Sequence, residues 1–192
     1  SRGLGDVYKR QINNLLKEVV SLGCTDFHGF VEKVCQALEA VSASDPHRIA
    51  ACKSGEDFEV CVVEAVHTSL DDLGLTATVH YTPGGHAFPD IVIEFSGGEK
   101  YGIEVKSSTS ATSKAWKING NSVLGSTKEN VIDTYIVFGK TAMGNQAFRF
   151  KRYEDAVANV AVTHSPRYAI DMDIACLLYT SPSPETRGNL VC

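Results

Sequence analysis

Apolar residues recur at helical spacing from Ile12 to Val41, through Leu15, Leu16, Val19, Val20, Phe30, Val31, Val34 and Leu38, with a break around Gly23 and Thr25. That spacing predicts two helices. Ser42 to Lys53 is polar and contains Asp45-Pro46, so it reads as a link. A third helical pattern runs from about Gly55 to Leu73 and meets Gly74, a residue suited to a C-cap. At Thr76 the period shortens to that of a strand. Thr76–Tyr81 predicts a short strand, Thr82-Pro83-Gly84-Gly85 a turn, and Pro89–Phe95 and Lys100–Ser107 two strands joined through Ser96-Gly97-Gly98-Glu99. Residues 108–130 are polar and are expected to be irregular. Asp133–Gly139 and Ala147–Tyr153 predict later strands, and Tyr153–Val162 a helix. Helices first, then a strand meander, then mixed elements define the α/β or α+β class.

Alternation within the hairpin carries more information. Ile91, Ile93 and Phe95 share one face of the first strand, and Asp90, Val92 and Glu94 share the other. On the second strand Tyr101, Ile103 and Val105 lie opposite Gly102, Glu104 and Lys106. If both apolar sets face the core, Asp90, Glu104 and Lys106 converge on the other side. The parity requires a three-residue loop over Ser96-Gly97-Gly98, with a glycine in the left-handed position. A two-residue loop would part Asp90 from Glu104.

The chain has 192 residues, 43% hydrophobic, 8% aromatic and 21% charged, enough for a real core in one domain. Its longest apolar run, Ile174 to Tyr179, is far too short to span a bilayer, so no membrane partner is expected. No charged-then-apolar secretion signal opens the sequence. Six cysteines without a C-x-x-C pair argue against a zinc or thioredoxin-like centre. Cys24, Cys35 and Cys61 fall in helical apolar patterns and read as core. The expectation is a soluble, reduced, cytoplasmic protein. Residues 1–11 and 175–192 do not join the flanking patterns, and both resemble translated sequencing-adapter DNA. The domain is therefore expected over 12–174, with 1–11 and 175–192 as non-native or disordered tails; if they are non-native, the natural chain continued past one or both ends.

The net charge of −5 hides a partition: −8 over residues 1–99, +6 over 100–152 and −3 over 153–192. The positive block begins beside the hairpin and is a candidate polyanion footprint, although uneven surface charge alone would look the same.

Two carboxylates and a lysine gathered on a rigid hairpin make a hard oxygen site suited to Mg²⁺, which keeps several waters and takes a further ligand from a phosphate. The lysine would orient an attacking water and offset charge developing at phosphorus. That is machinery for phosphodiester hydrolysis. The plainer alternative is an exposed Glu–Lys pair worth a few tenths of a kcal/mol. There is no G-x-x-x-x-G-K-[ST] loop and no G-x-S-x-G elbow to suggest another chemistry.

Pro89-Asp90, followed after thirteen residues by Glu104-Val105-Lys106, resembles the signature of the PD-(D/E)XK nuclease superfamily. The resemblance implies a restriction-endonuclease-like core: a mixed central β-sheet flanked by helices, with N-terminal helices before the catalytic hairpin. It implies Asp90 and Glu104 as Mg²⁺ ligands, the backbone carbonyl of Val105 as another, and Lys106 acting on the water. Gly55-Glu56-Asp57-Phe58-Glu59 also resembles the family's lead-in to a supporting helix Glu. Val63, Val66 and Leu70 lie within about 40° of Glu59 on the helical wheel, so this carboxylate needs a partner or borders the site. Glu56 is the alternative, although it and Asp57 also suit a first turn for the helix dipole.

Residues 107–128 offer hydroxyls, amides and lysines around Trp116, suited to DNA phosphates and base edges but equally to a long surface loop. The candidates are Ser107, Ser108, Lys114, Lys117, Asn119, Asn121 and Lys128. The stretch from Val162 to Tyr168 is similar to a segment of some restriction endonucleases, which would make Arg167 a phosphate contact. His86, four residues before Asp90, could border the cleft. The expected function is a Mg²⁺-dependent endonuclease hydrolysing double-stranded DNA, most like a type II site-specific restriction endonuclease acting as a homodimer. The alternatives are a repair or junction-resolving nuclease of the same fold, or an inactive DNA-binding module.

Overall fold

The computed structural model describes residues 26–85, 87–122, 127–128, 130–161 and 166–174. The Asp26 carboxylate accepts the Gly29 N–H at 2.9 Å and opens helix α1, Phe27–Ser44. This is the second of the two helices expected between Ile12 and Val41; the first lies outside the described residues. The expected polar link is corrected: Asp45 caps a short helix α2, Pro46–Ala50, with proline in its first turn. Helix α3, Gly55–Leu73, starts with a reciprocal Ser54–Asp57 capping box and ends at Gly74, whose φ of 63° is left-handed.

The strands are β1 (Ala77–Tyr81), β2 (Ala87–Phe88), β3 (Ile91–Phe95), β4 (Lys100–Ser108), β5 (Lys117–Ser122), β6 (Thr127–Lys128), β7 (Thr134–Lys140) and β8 (Ala147–Arg152). A single turn of helix α4, Tyr153–Ala156, then leads to β9 (Val157–Ala161) and β10 (Arg167–Asp171). The expected helix over Tyr153–Val162 is thus mostly strand. Its β-branched Val157 and Val160 pair with Ile170 and Tyr168 of β10. The stretch expected to be irregular likewise contains β5, which pairs with the other edge of β10.

The main sheet has the order β1-β3-β4-β7-β8. Strand β4 runs parallel to β7, and the other neighbours are antiparallel, so the sheet is mixed. A second sheet has the order β5-β10-β9. On one face of the main sheet Ile91, Ile93, Phe95, Ile103, Val105 and Val137 pack with Phe30, Val34 and Leu38 of α1 and Phe58, Val62 and Val66 of α3. On the other, Ile136 and Phe138 join Trp116, Ala156, Ile170 and Met172. Strand β7 is buried on both faces, which explains its unbroken apolar run from Tyr135 to Phe138. The architecture is α+β: a central mixed sheet with helices on one side and the smaller sheet contributing to the core on the other.

Candidate active site

The β3–β4 register pairs Ile91 with Ile103, Val92 with Gly102, Ile93 with Tyr101 and Glu94 with Lys100. The Phe95 N–H donates to the Glu99 carbonyl at 2.9 Å, leaving Ser96, Gly97 and Gly98 as the loop. Gly98 has φ of 86°, the left-handed residue that such a loop needs. The expected parity is therefore present. Continued by one residue past Ile91, the register sets Asp90 across from Glu104.

Asp90 is held by two features. Its Oδ2 accepts the Val105 N–H at 2.8 Å, extending the ladder with a side chain just before β3 begins. The Pro89 ring lies over Gly102, where an added Cβ would stand 2.3 Å from the proline Cγ. A glycine is needed there for the Pro89-Asp90 segment to come close to β4.

Glu104 lies on the central strand and is 1% exposed. Its Oε1 accepts a hydrogen bond from the Lys106 ammonium, two residues along the same face. The Gly102 N–H points to the β7 side, donating to Asp133, whereas the Val105 N–H points to the Asp90 side. Because the N–H and C=O of one strand residue share an edge, the Val105 carbonyl also faces Asp90.

Glu59, on α3, completes the group. Burial raises its carboxyl above the ordinary carboxylate range and the nearby Asp90 charge raises it further, while the Tyr81 hydroxyl and Lys106 ammonium pull it down. Burial, followed by the Glu59 carboxylate, pushes the Tyr81 hydroxyl up to about 12. Glu56 is exposed and stands near Gly84 in the turn after β1. Of the two helix carboxylates it is therefore Glu59 that is half-buried toward Asp90. Glu59, Tyr81, Pro89 and Asp90 line one cleft that extends to His80, Val92 and Lys100. Tyr81 was not a sequence candidate. Its signal was its place at the end of β1, paired with the residue after Asp90.

Asp90, Glu104 and the Val105 carbonyl present an oxygen-only donor set, the kind a hard cation such as Mg²⁺ takes. Among the described residues no group of three or more His, Cys, Asp and Glu side chains is gathered for a metal. Mg²⁺ needs no such cage, since one or two carboxylates with waters and a phosphate suffice.

The positive block is less free than its charge count implies. Lys100 pairs with Glu94, Lys117 with Asp171, Arg149 with Asp173, and Arg152 with Asp133 and Glu154. Lys140 is buried over the Trp116 ring at 4.3 Å, and Arg149 stands over the same ring at 4.4 Å. Trp116 is itself buried, so it belongs to the core and is no exposed stacking platform. Ser107 and Ser108 end β4 directly after Lys106. Lys114 and Asn119 are exposed, and Lys117 is exposed while paired. Asn121 falls in β5 and Lys128 in β6, and Arg167 begins β10. His86 lies outside the described residues. No described helix is long and apolar enough to cross a membrane.

No protein-family model and no curated protein matches the chain. Among solved structures it is similar to the 1.6 Å structure of Hjc, a Holliday junction resolvase from the archaeal hyperthermophile Archaeoglobus fulgidus. The match has 17% identity and a TM-score of 0.31, over 57% of this chain and 87% of that one. A likeness of this size assigns no residue and no activity to this chain.

Proposed function

We propose that the chain is a Mg²⁺-dependent endodeoxyribonuclease of the PD-(D/E)XK kind, most like a type II restriction endonuclease. The observation that carries this reading is the convergence of Asp90, Glu104 and Lys106 on one hairpin face, with Asp90 tied to the Val105 N–H. Asp90, Glu104 and the Val105 carbonyl would hold Mg²⁺. Once bound, the ion supplies Lewis-acid polarisation of a phosphate and a lower pKa for coordinated water. Lys106 reaches Glu104 and lies in the field of Glu59, so its ammonium stands among the carboxylates, positioned to orient a water and offset charge on phosphorus. Glu59 borders Asp90 from the helix side and supports that arrangement.

Ser107 and Ser108 follow the lysine at the end of β4 and would contact substrate phosphates. Lys114, Lys117, Asn119, Asn121 and Lys128 would supply the substrate face beyond them, and a homodimer would bring two sites to the two strands. The test is incubation of the full chain with supercoiled plasmid, and separately with a four-way DNA junction, in Mg²⁺ beside Asp90→Ala and Lys106→Ala. Discrete plasmid fragments lost in both variants support the restriction reading. A smear lost in both would mark a less selective nuclease, and cleavage confined to the junction a resolving one. Salt-sensitive binding without cleavage of either substrate would leave a DNA-binding module and overturn the proposal.

A further inference from the structure

Away from the cleft, the junction between α2 and α3 brings two thiols together. Cys52 follows α2, Cys61 lies within α3, both are free, and their Sγ atoms are 3.5 Å apart. A disulfide requires about 2.05 Å, so closing the pair asks for a movement of about 1.5 Å. The chain on either side is held. The Cys52 N–H donates to Ile49 at 3.1 Å, its carbonyl accepts from the Thr141 hydroxyl at 3.4 Å, and α3 is anchored by its capping box. The two sulfurs also differ in access. Cys52 is 4% exposed, whereas Cys61 is half-buried and lines a groove with Arg48 and Glu64.

We propose that Cys52 and Cys61 form a reversible thiol–disulfide site whose co-reactant is a small-molecule disulfide of the glutathione class. The access difference fixes the order of events. Cys61, deprotonated to solvent, attacks one sulfur of the oxidant; a mixed disulfide forms and one thiolate leaves. Cys52 then loses its proton and attacks the Cys61 sulfur, expelling the second thiolate. Two protein thiols are oxidised to one disulfide, and one small-molecule disulfide is reduced to two thiols. Burial pushes the Cys52 thiol up to about 12, which keeps it from acting first. It is its place 3.5 Å from the Cys61 sulfur that makes it the resolving partner. Closure ties the end of α2 covalently to α3. This site stands independently of the nuclease reading.

The experiment treats the full chain with oxidised glutathione, blocks remaining thiols with iodoacetamide and maps the digest by mass spectrometry. The expected product joins the Cys52 and Cys61 peptides with loss of two hydrogens and is reversed by dithiothreitol. Cys52→Ser is expected to stop at a glutathione adduct on Cys61, and Cys61→Ser to leave Cys52 without an adduct. In guanidinium chloride the same treatment should spread cross-links over all six cysteines. Three results would overturn the proposal: native cross-links as scattered as denatured ones, an unmodified Cys61 in Cys52→Ser, or alkylation of both thiols in the wild-type chain.

Discussion

The Asp90 carboxylate accepts the backbone N–H of Val105 at 2.8 Å, across the open end of the β3–β4 hairpin. A side chain thus supplies the ladder bond that β3 does not make, and it fixes a carboxylate opposite Glu104. Structure and proposed chemistry meet in that one bond, and substitution can separate them. Asp90→Ala strands the Val105 N–H and should lower stability by about 1–3 kcal/mol, whereas Asp90→Asn keeps an acceptor and should cost less than about 1 kcal/mol. Plasmid cleavage should fall by about a hundredfold or more in both. Urea melts read the first effect and nicking rates the second. Full cleavage by Asp90→Asn would remove the carboxylate from the mechanism.

Glu104 and Lys106 should be strongly coupled. A carboxylate that is 1% exposed tolerates its charge through the adjacent ammonium, so Lys106→Met should destabilise by on the order of 3 kcal/mol. Adding Glu104→Gln removes the buried charge and should recover most of that loss. A double-mutant cycle in urea measures the coupling, and an interaction energy near zero would mean that the pair behaves as a solvated surface contact.

Glu59 should make stability depend on pH in a sense opposite to most carboxylates. Its folded pKa is raised by burial and by Asp90, so the folded chain holds this proton to higher pH than the unfolded chain. Where the folded state binds more protons, stability falls as pH rises. The loss begins near the ordinary Glu value of about 4.3 and is complete above the raised folded value. Glu59→Gln should therefore be more stable than wild type at pH 7, with the difference vanishing below about pH 4. Urea midpoints across that range check it.

Gly102→Ala places a Cβ against the Pro89 ring, 2.3 Å from its Cγ. The expected cost is about 1–3 kcal/mol, as for other overpacked sites. The displaced Pro89-Asp90 segment should take cleavage down with it. Ser107→Ala, in the same strand but without such a contact, serves as the stability control.

Trp116 separates core from interface. It is 6% exposed and packs edge-on to Phe138 with ring centroids 5.4 Å apart. Trp116→Ala should lower stability by about 3–5 kcal/mol, the cost of emptying a large aromatic site. DNA affinity, measured in Ca²⁺ at a temperature where the variant is folded, should change little. A large affinity loss with intact stability would return the residue to the substrate face.

Local physics made much of this protein legible from its residues. The helical period from about Gly55 and the Gly74 cap delimited α3, and the Ser54–Asp57 capping box, also local, fixes its start. Three small residues at the hairpin tip set the parity that brings Asp90 to the face of Glu104 and Lys106. These features depend on backbone geometry and near-neighbour hydrogen bonds, which are encoded where they occur. The helix expected over Tyr153–Val162 failed because Val157 and Val160 fit either period, and only β10, drawn alongside by the fold, decided for strand. The same β10 took β5 out of a segment that reads as loop.

Charge was decided at long range as well. The sequence determined that residues 100–152 carry +6. Tertiary structure determined that Lys117 and Arg149 meet Asp171 and Asp173 and that Lys140, over the Trp116 ring, donates to the Ser113 and Lys114 carbonyls. It also set α3 against the sheet so that the Glu59 carboxylate lies half-buried near Asp90 while Glu56 is exposed. Periodicity and capping act over a few residues and can be read along the chain. Pairing between distant strands and charges depends on which segments the core draws together, and the fold alone decides that.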